Sequence, residues 1–139
     1  MREGTVFSAQ DDDSGGDEHS GINIVIKHSS MVDGVDLDVG PKKVTTYATY
    51  MHGLEGSIKA AFGGTVPGPG TAVARGKVIM KCSSTGDAWF NLLHVDVRPD
   101  RGGKPGGYTI PFVFHDADVG GDSGVPQSQT YYTSDNKKL

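Results

Sequence analysis

Apolar residues recur along the chain in short alternating runs, separated by glycine, proline and small polar residues. This is the pattern of half-buried strands joined by tight turns. In Ile22-Asn23-Ile24-Val25-Ile26-Lys27-His28 the three isoleucines fall on one face of an extended chain. Val35-Asp36-Leu37-Asp38-Val39 alternates strictly, following the turn pair Asp33-Gly34 and preceding the breaker Gly40-Pro41. These two runs are expected to form a hairpin with a longer connection. Residues 43–51 (KVTTYATYM) are rich in strand-favouring Thr and Tyr, with Val44, Thr46, Ala48 and Tyr50 on one face. Residues 72–83 and 88–98 read as two further strands. In the second, Trp89, Leu93, Val95 and Val97 are assigned to one face, and Phe90, Leu92, His94, Asp96 and Arg98 to the other. A strand over 108–119 would align Tyr108, Ile110, Phe112 and Phe114. Pro111 cannot donate a ladder hydrogen bond, which marks this strand as an edge or as bulged, and an edge is a natural place for pairing with another chain.

Residues 54–62 (LEGSIKAAF) carry both periods. Leu54, Ile58, Ala61 and Phe62 suit a helical face, whereas Ile58, Ala60 and Phe62 suit a strand. Gly56 costs a helix about 1 kcal/mol, which tilts the reading towards a strand, with a short helix near 54–62 as the alternative. The expected fold is therefore all-β, an antiparallel sandwich or small barrel of about seven short strands. Residues 1–21 read as an acidic amino-terminal arm, 22–119 as the β domain and 120–139 as a polar tail. The stretch 8–21 is small, acidic and without aliphatics, so on its own it should be solvated. Holding it in place would take a restraint such as a neighbouring subunit.

Composition sharpens this picture. The 139 residues suit one domain. Glycine, at 21 residues, is present at about twice its usual share of roughly 7%. The glycines cluster in loops 63–70, 99–107 and 120–124, between the strand runs. The net charge of −4 argues against nucleic acid as the main partner, because phosphate binding needs a basic surface. No apolar run approaches the length of a membrane span and the amino terminus has no apolar signal region, so no membrane partner is expected. The expected setting is synthesis in a cytoplasm, with incorporation into a virion as an extension. A single cysteine, Cys82, excludes an internal disulfide, and its place in Val78-Ile79-Met80-Lys81-Cys82 suggests a small buried hydrophobe.

Candidate chemistry is sparse. His94 and Asp96, two apart on a strand, share a face and can grip one cation. If the two strands pair, His115, or the pair Asp116 and Asp118, would complete a 2-His-carboxylate metal site. Asp116, Asp118 and Asp122 form a weaker oxygen-rich variant without the full spacing of a calcium loop. Gly121-Asp122-Ser123-Gly124 resembles the box around the nucleophile of chymotrypsin-like serine proteases, which would make Ser123 the attacking hydroxyl. The resemblance covers four residues. Only sixteen residues follow Ser123, too few for the strands that family places there, and no Ala-Ala-His-Cys-like segment supplies a base. There is no phosphate-binding glycine loop ending in Gly-Lys-Ser/Thr, no dinucleotide fingerprint and no Cys-x-x-Cys, so no cofactor is expected. Arg98, Arg101 and Lys104 in one loop, with Arg75, Lys77 and Lys81 on another strand, are available to pair with the acidic arm of a neighbouring copy through Asp11, Asp12, Asp13, Asp17 and Glu18.

Three functions are compatible with these features. The leading one is a structural subunit of a multi-copy particle, of the viral or phage coat, decoration or tail type, self-associating through arm, loops and an edge strand. Ala74-Arg75-Gly76-Lys77-Val78, with the strands after it, bears a slight similarity to phage capsid-decoration and tail-tube proteins. The second is a carbohydrate-binding module that stacks Tyr47, Tyr50, Trp89, Tyr108, Tyr131 or Tyr132 on sugar rings. The third is a hydrolase using Ser123 or the His/Asp metal site.

Overall fold

The computed structural model describes residues 3–12, 19–32 and 42–110. These build a mostly β structure around one antiparallel sheet. The strands are β1 (Gly4–Gln10), β2 (Asn23–Val32), β3 (Lys42–Met51), β4 (Ala72–Val73) and β5 (His94–Pro99), and one short helix, α1 (Ser57–Ala61), lies between β3 and β4. The sheet has five strands in the order β4-β1-β2-β3-β5.

The alternating isoleucines of β2 form the centre of the core, as their spacing requires. Ile24 and Ile26 are fully buried, as is Ile22 just before the strand, and they pack with Val6, Ile58, Val73 and Ile79. Each such side chain removed from water is worth about 1.5–3 kcal/mol. β3 presents Ala48 and Tyr50 opposite Ile26 and Ile24, and β5 continues the same rows with Val97 and Val95. The hairpin partner of β2 is β3. The run 35–39 lies outside the described residues, as do 111–119 of the last expected strand and the whole tail.

The amino-terminal segment differs most from its expected role. Residues 4–10 are an internal strand of the sheet, paired with β2 on one side and β4 on the other. Val6, the one aliphatic residue in this stretch, faces Ile26 and is buried. A β-bulge between Val6 and Ser8 lets the strand re-enter register, so that Ala9 again meets Ile24. The extra residue, Phe7, packs edge-on against Tyr47 with ring centroids 4.9 Å apart. A strand so poor in aliphatics becomes ordered because its neighbours supply both ladders, which composition does not reveal.

Residues 54–62 take the helical alternative. Gly56 adopts a φ of 74° at the start of α1, a conformation that glycine enters without penalty. The helix start is satisfied from β1: Asp11 accepts hydrogen bonds from Ile58 N–H (3.0 Å) and Lys59 N–H (2.7 Å). Ser57 Oγ accepts the N–H of Lys81, tying the helix to the following segment. Asp11 is therefore a buried cap within its own domain, and its carboxylate is not available to a neighbour's basic loop. Asp13, Asp17 and Glu18 lie outside the described residues.

Candidate functional site

The sheet buries its second face only in part, and that face carries the polar chemistry. Reading across the register, Lys27, Tyr47 and Arg98 form one row and Val25, Thr49 and Asp96 the next, and Met51 pairs with His94 at the end. Tyr47 is fully buried. Its hydroxyl donates to Asp100 Oδ1 at 2.9 Å, and Lys27 Nζ lies 5.9 Å from its ring centroid. Burial first, then the hydrogen bond and the charge of Asp100, push the Tyr47 hydroxyl up to about 12, and burial alone does the same to Tyr50. Asp96 is buried, with Oδ2 accepting from Arg98 Nε (3.1 Å) and Nη2 (2.8 Å). Its Oδ1 is buried without a hydrogen-bond partner.

His94 and Asp96 do share a face, as the strand period predicts, but they do not act as a pair: Asp96 is held by Arg98, and His94 sits beside His52. The two imidazole centroids are 5.8 Å apart and the rings are tilted by 33°. His115, Asp116 and Asp118 lie outside the described residues, as do Asp122 and Ser123. Among the described residues, no group of three or more His, Cys, Asp or Glu side chains converges as a metal-binding set.

His52 was not visible as a site residue in the sequence. It directly follows β3 with a φ of 63°, the one non-glycine residue with a positive φ among those described, and is buried. Its backbone N–H donates to Ser20 O (3.2 Å), its carbonyl accepts from Ser83 N–H (2.7 Å), and its ring Nδ1 lies 2.8 Å from Thr85 O. A carbonyl oxygen can only accept, so Nδ1 carries the proton. The loop that supplies Thr85 is itself docked on the start of β2: Thr85 Oγ1 accepts from Ile22 N–H and donates to Gly53 O. Two glycines meet at this junction. A Cβ on Gly21 would lie 2.5 Å from Gly86 N, and one on Gly86 would lie 2.5 Å from Gly21 N; both have positive φ. At the outer edge of the loop His19 is paired with Asp87.

Beyond this anchored turn the chain behaves contrary to the expectation for residues 88–98. The strand starts at His94, because β5 pairs with β3 from Met51 backwards and, among the described residues, 88–93 have no ladder partner except an isolated bridge between Ser83 and Leu92. Trp89, assigned to the core from its alternation, is 96% exposed; Phe90 is 69% and Leu93 48% exposed. The strand expected over 72–83 is reduced to β4 and an isolated bridge between Gly53 and Cys82. Cys82 is exposed and not a buried hydrophobe. Of the expected basic group, Arg98 is engaged by Asp96, and Lys77 donates to Ala61 O and lies over the Phe62 ring. Of the expected sugar-stacking aromatics, Tyr47 is buried, Trp89 and Tyr108 are exposed, and Tyr131 and Tyr132 lie outside the described residues.

The result is an exposed aromatic loop, residues 88–93, that follows the turn docked at the sheet end carrying His52 and His94. Compared with known proteins, the chain matches no family model, no curated protein and no solved structure.

Proposed function

We propose that this chain is a structural subunit of a multi-copy assembly, of the viral or phage coat, decoration or tail type, and that it contacts another copy through the 88–93 loop. The observation that carries this reading is the 96% exposure of Trp89, flanked by exposed Phe90 and Leu93. A tryptophan that would bury about 150–250 Å² on contact is rarely left in water without a partner. Contiguous exposed apolar residues mark interaction surfaces, and aromatic residues are enriched at such contacts. The anchoring of the loop supports the reading further. Ser83, Thr85 and Asp87 are hydrogen-bonded to His19, Ile22, His52 and Gly53, which flank β2 and β3, so the aromatic residues are presented with little ordering cost on association.

Light scattering across a concentration series tests the proposal. The expected result is a concentration-dependent, higher-order species that is lost in Trp89→Ala/Phe90→Ser. A strictly monomeric protein at all concentrations would overturn it.

The exposed indole also favours a second reading, a carbohydrate-binding module stacking a sugar ring on Trp89. Glycan binding that quenches the single tryptophan's fluorescence, in a protein that stays monomeric, would select this reading instead.

A further inference from the structure

From the pairing of His52 with His94 we infer that the end of β3 and β5 is a two-imidazole site for a divalent transition-metal ion of the zinc or nickel type. The remaining coordination positions are open to water or to a ligand from another molecule. The inference does not depend on the assembly reading.

Four observations carry it. First, His52 has the arrangement of a metal-ligating imidazole. Its Nδ1–H donates to the Thr85 carbonyl at 2.8 Å, which fixes the tautomer and leaves the lone pair on Nε2. A backbone carbonyl on the opposite ring nitrogen is the usual support for a ligating histidine. Second, the spacing fits. With metal–nitrogen bonds of about 2.0–2.1 Å, two imidazoles on a tetrahedral ion have ring centroids about 5.2 Å apart. The observed separation is 5.8 Å. His94 is exposed, so its side chain can take up the difference by a small rotation. Third, the first ligand is preorganised. His52 holds a positive φ of 63° and is fixed through its N–H, its carbonyl and its ring. A non-glycine residue in that region persists when its surroundings over-determine it, and such residues cluster at functional positions. Fourth, among the described residues the acidic side chains on the adjoining segments have other partners: Asp96, next on the face of His94, is held by Arg98, and Asp87 by His19. Two imidazole ligands with open positions suit zinc, nickel or copper and not magnesium or calcium, which take oxygen ligands.

The test is a calorimetric titration of the full chain with zinc chloride in buffer containing excess magnesium. It is followed by long-range ¹H–¹⁵N spectra of the imidazoles. The expected result is saturable binding of one zinc ion per chain, with shifts in the Nε2 signal of His52 and in a ring nitrogen of His94. His94→Ala, at an exposed position, should weaken zinc at least tenfold and abolish the zinc-dependent rise in Tm. His28→Ala, on a different part of β2, should leave affinity within twofold of the parent. If His52→Asn, chosen because asparagine tolerates a positive φ, remains folded by circular dichroism, it should match His94→Ala. No stoichiometric zinc binding by the parent protein, or zinc binding unchanged in His94→Ala, would overturn the inference.

Discussion

The inner face of the sheet and the 83–93 loop use the same kinds of residue for opposite ends. Ile22, Ile24 and Ile26 are fully buried, whereas Trp89 and Phe90 stand in solvent. Hydrophobicity does not separate them, since tryptophan and phenylalanine are at least as apolar by area. The difference is pairing. β2 has a strand on each side, so each alternate residue meets a neighbour across a ladder. The loop ends one residue before β3 and β5 begin to pair, and among the described residues its 88–93 part has no ladder beyond the isolated Ser83–Leu92 bridge. Between these two regions backbone pairing separates buried from exposed, while Ile22, Ile58 and Ile79 are buried outside any strand by packing on the same core.

The largest expected effect breaks the buried side of this contrast. Ile24→Ala should destabilise the domain by about 2–5 kcal/mol, because it removes transfer energy and leaves a cavity under Tyr50 and Ala9. A shift of the urea midpoint at constant m-value measures it; a change below about 1 kcal/mol would mean that β2 is not the core strand. Next comes the tie between β1 and α1. Asp11→Ala removes the acceptor for two helix-start N–H groups and should cost about 0.5–2 kcal/mol. Asp11→Asn should recover part of that loss, a pattern that free repulsion in an acidic arm would not produce.

A smaller effect concerns the polar face. Tyr47→Phe removes the hydrogen bond to Asp100 and should cost about 1 kcal/mol near neutral pH. The pH dependence has a definite sign. Burial pushes the folded Tyr47 and Tyr50 hydroxyls up to about 12, above the ordinary tyrosine value of 10.0, so the folded state holds more protons than the unfolded one between those values. Stability is fully present below pH 10 and falls as pH rises from about 10 to 12. Tyr47→Phe and Tyr50→Phe should each flatten this alkaline loss, which denaturant midpoints taken across that window will show. The smallest stability effect belongs to the exposed side: Trp89→Ala should change monomer stability by no more than about 0.5 kcal/mol while removing association. A large loss of stability on this substitution would place Trp89 in the core and end the contrast.

How far the chain could be read in advance depends on the range of the interaction involved. The β2 and β3 runs were legible because period-two alternation over many residues has one buried solution, and the Val95/Val97 against Asp96/Arg98 division held for the same reason. The helix at 57–61 was half legible: Gly56 argued against it locally, but Asp11, 47 residues away from Ile58, supplies the missing cap. β1 was read as an arm because Val6 and Phe7 are few, and the ladders that hold them come from β2 and β4. His94 and Asp96 were picked out as a pair by their spacing. His52 carried no local signal, since a positive φ and a ring bonded to Thr85, 33 residues later, exist only in the folded chain.

Local pattern in the amino-acid order thus specified a mostly β domain, its central strands and the face of β5 that carries polar residues. These depend on short-range alternation and turn chemistry. Folding in three dimensions decided which apolar residues are covered, that β1 joins the sheet, that Asp11 caps a helix and that His52 meets His94. Each of those outcomes depends on a partner far away in sequence, and neither composition nor spacing encodes which partner arrives.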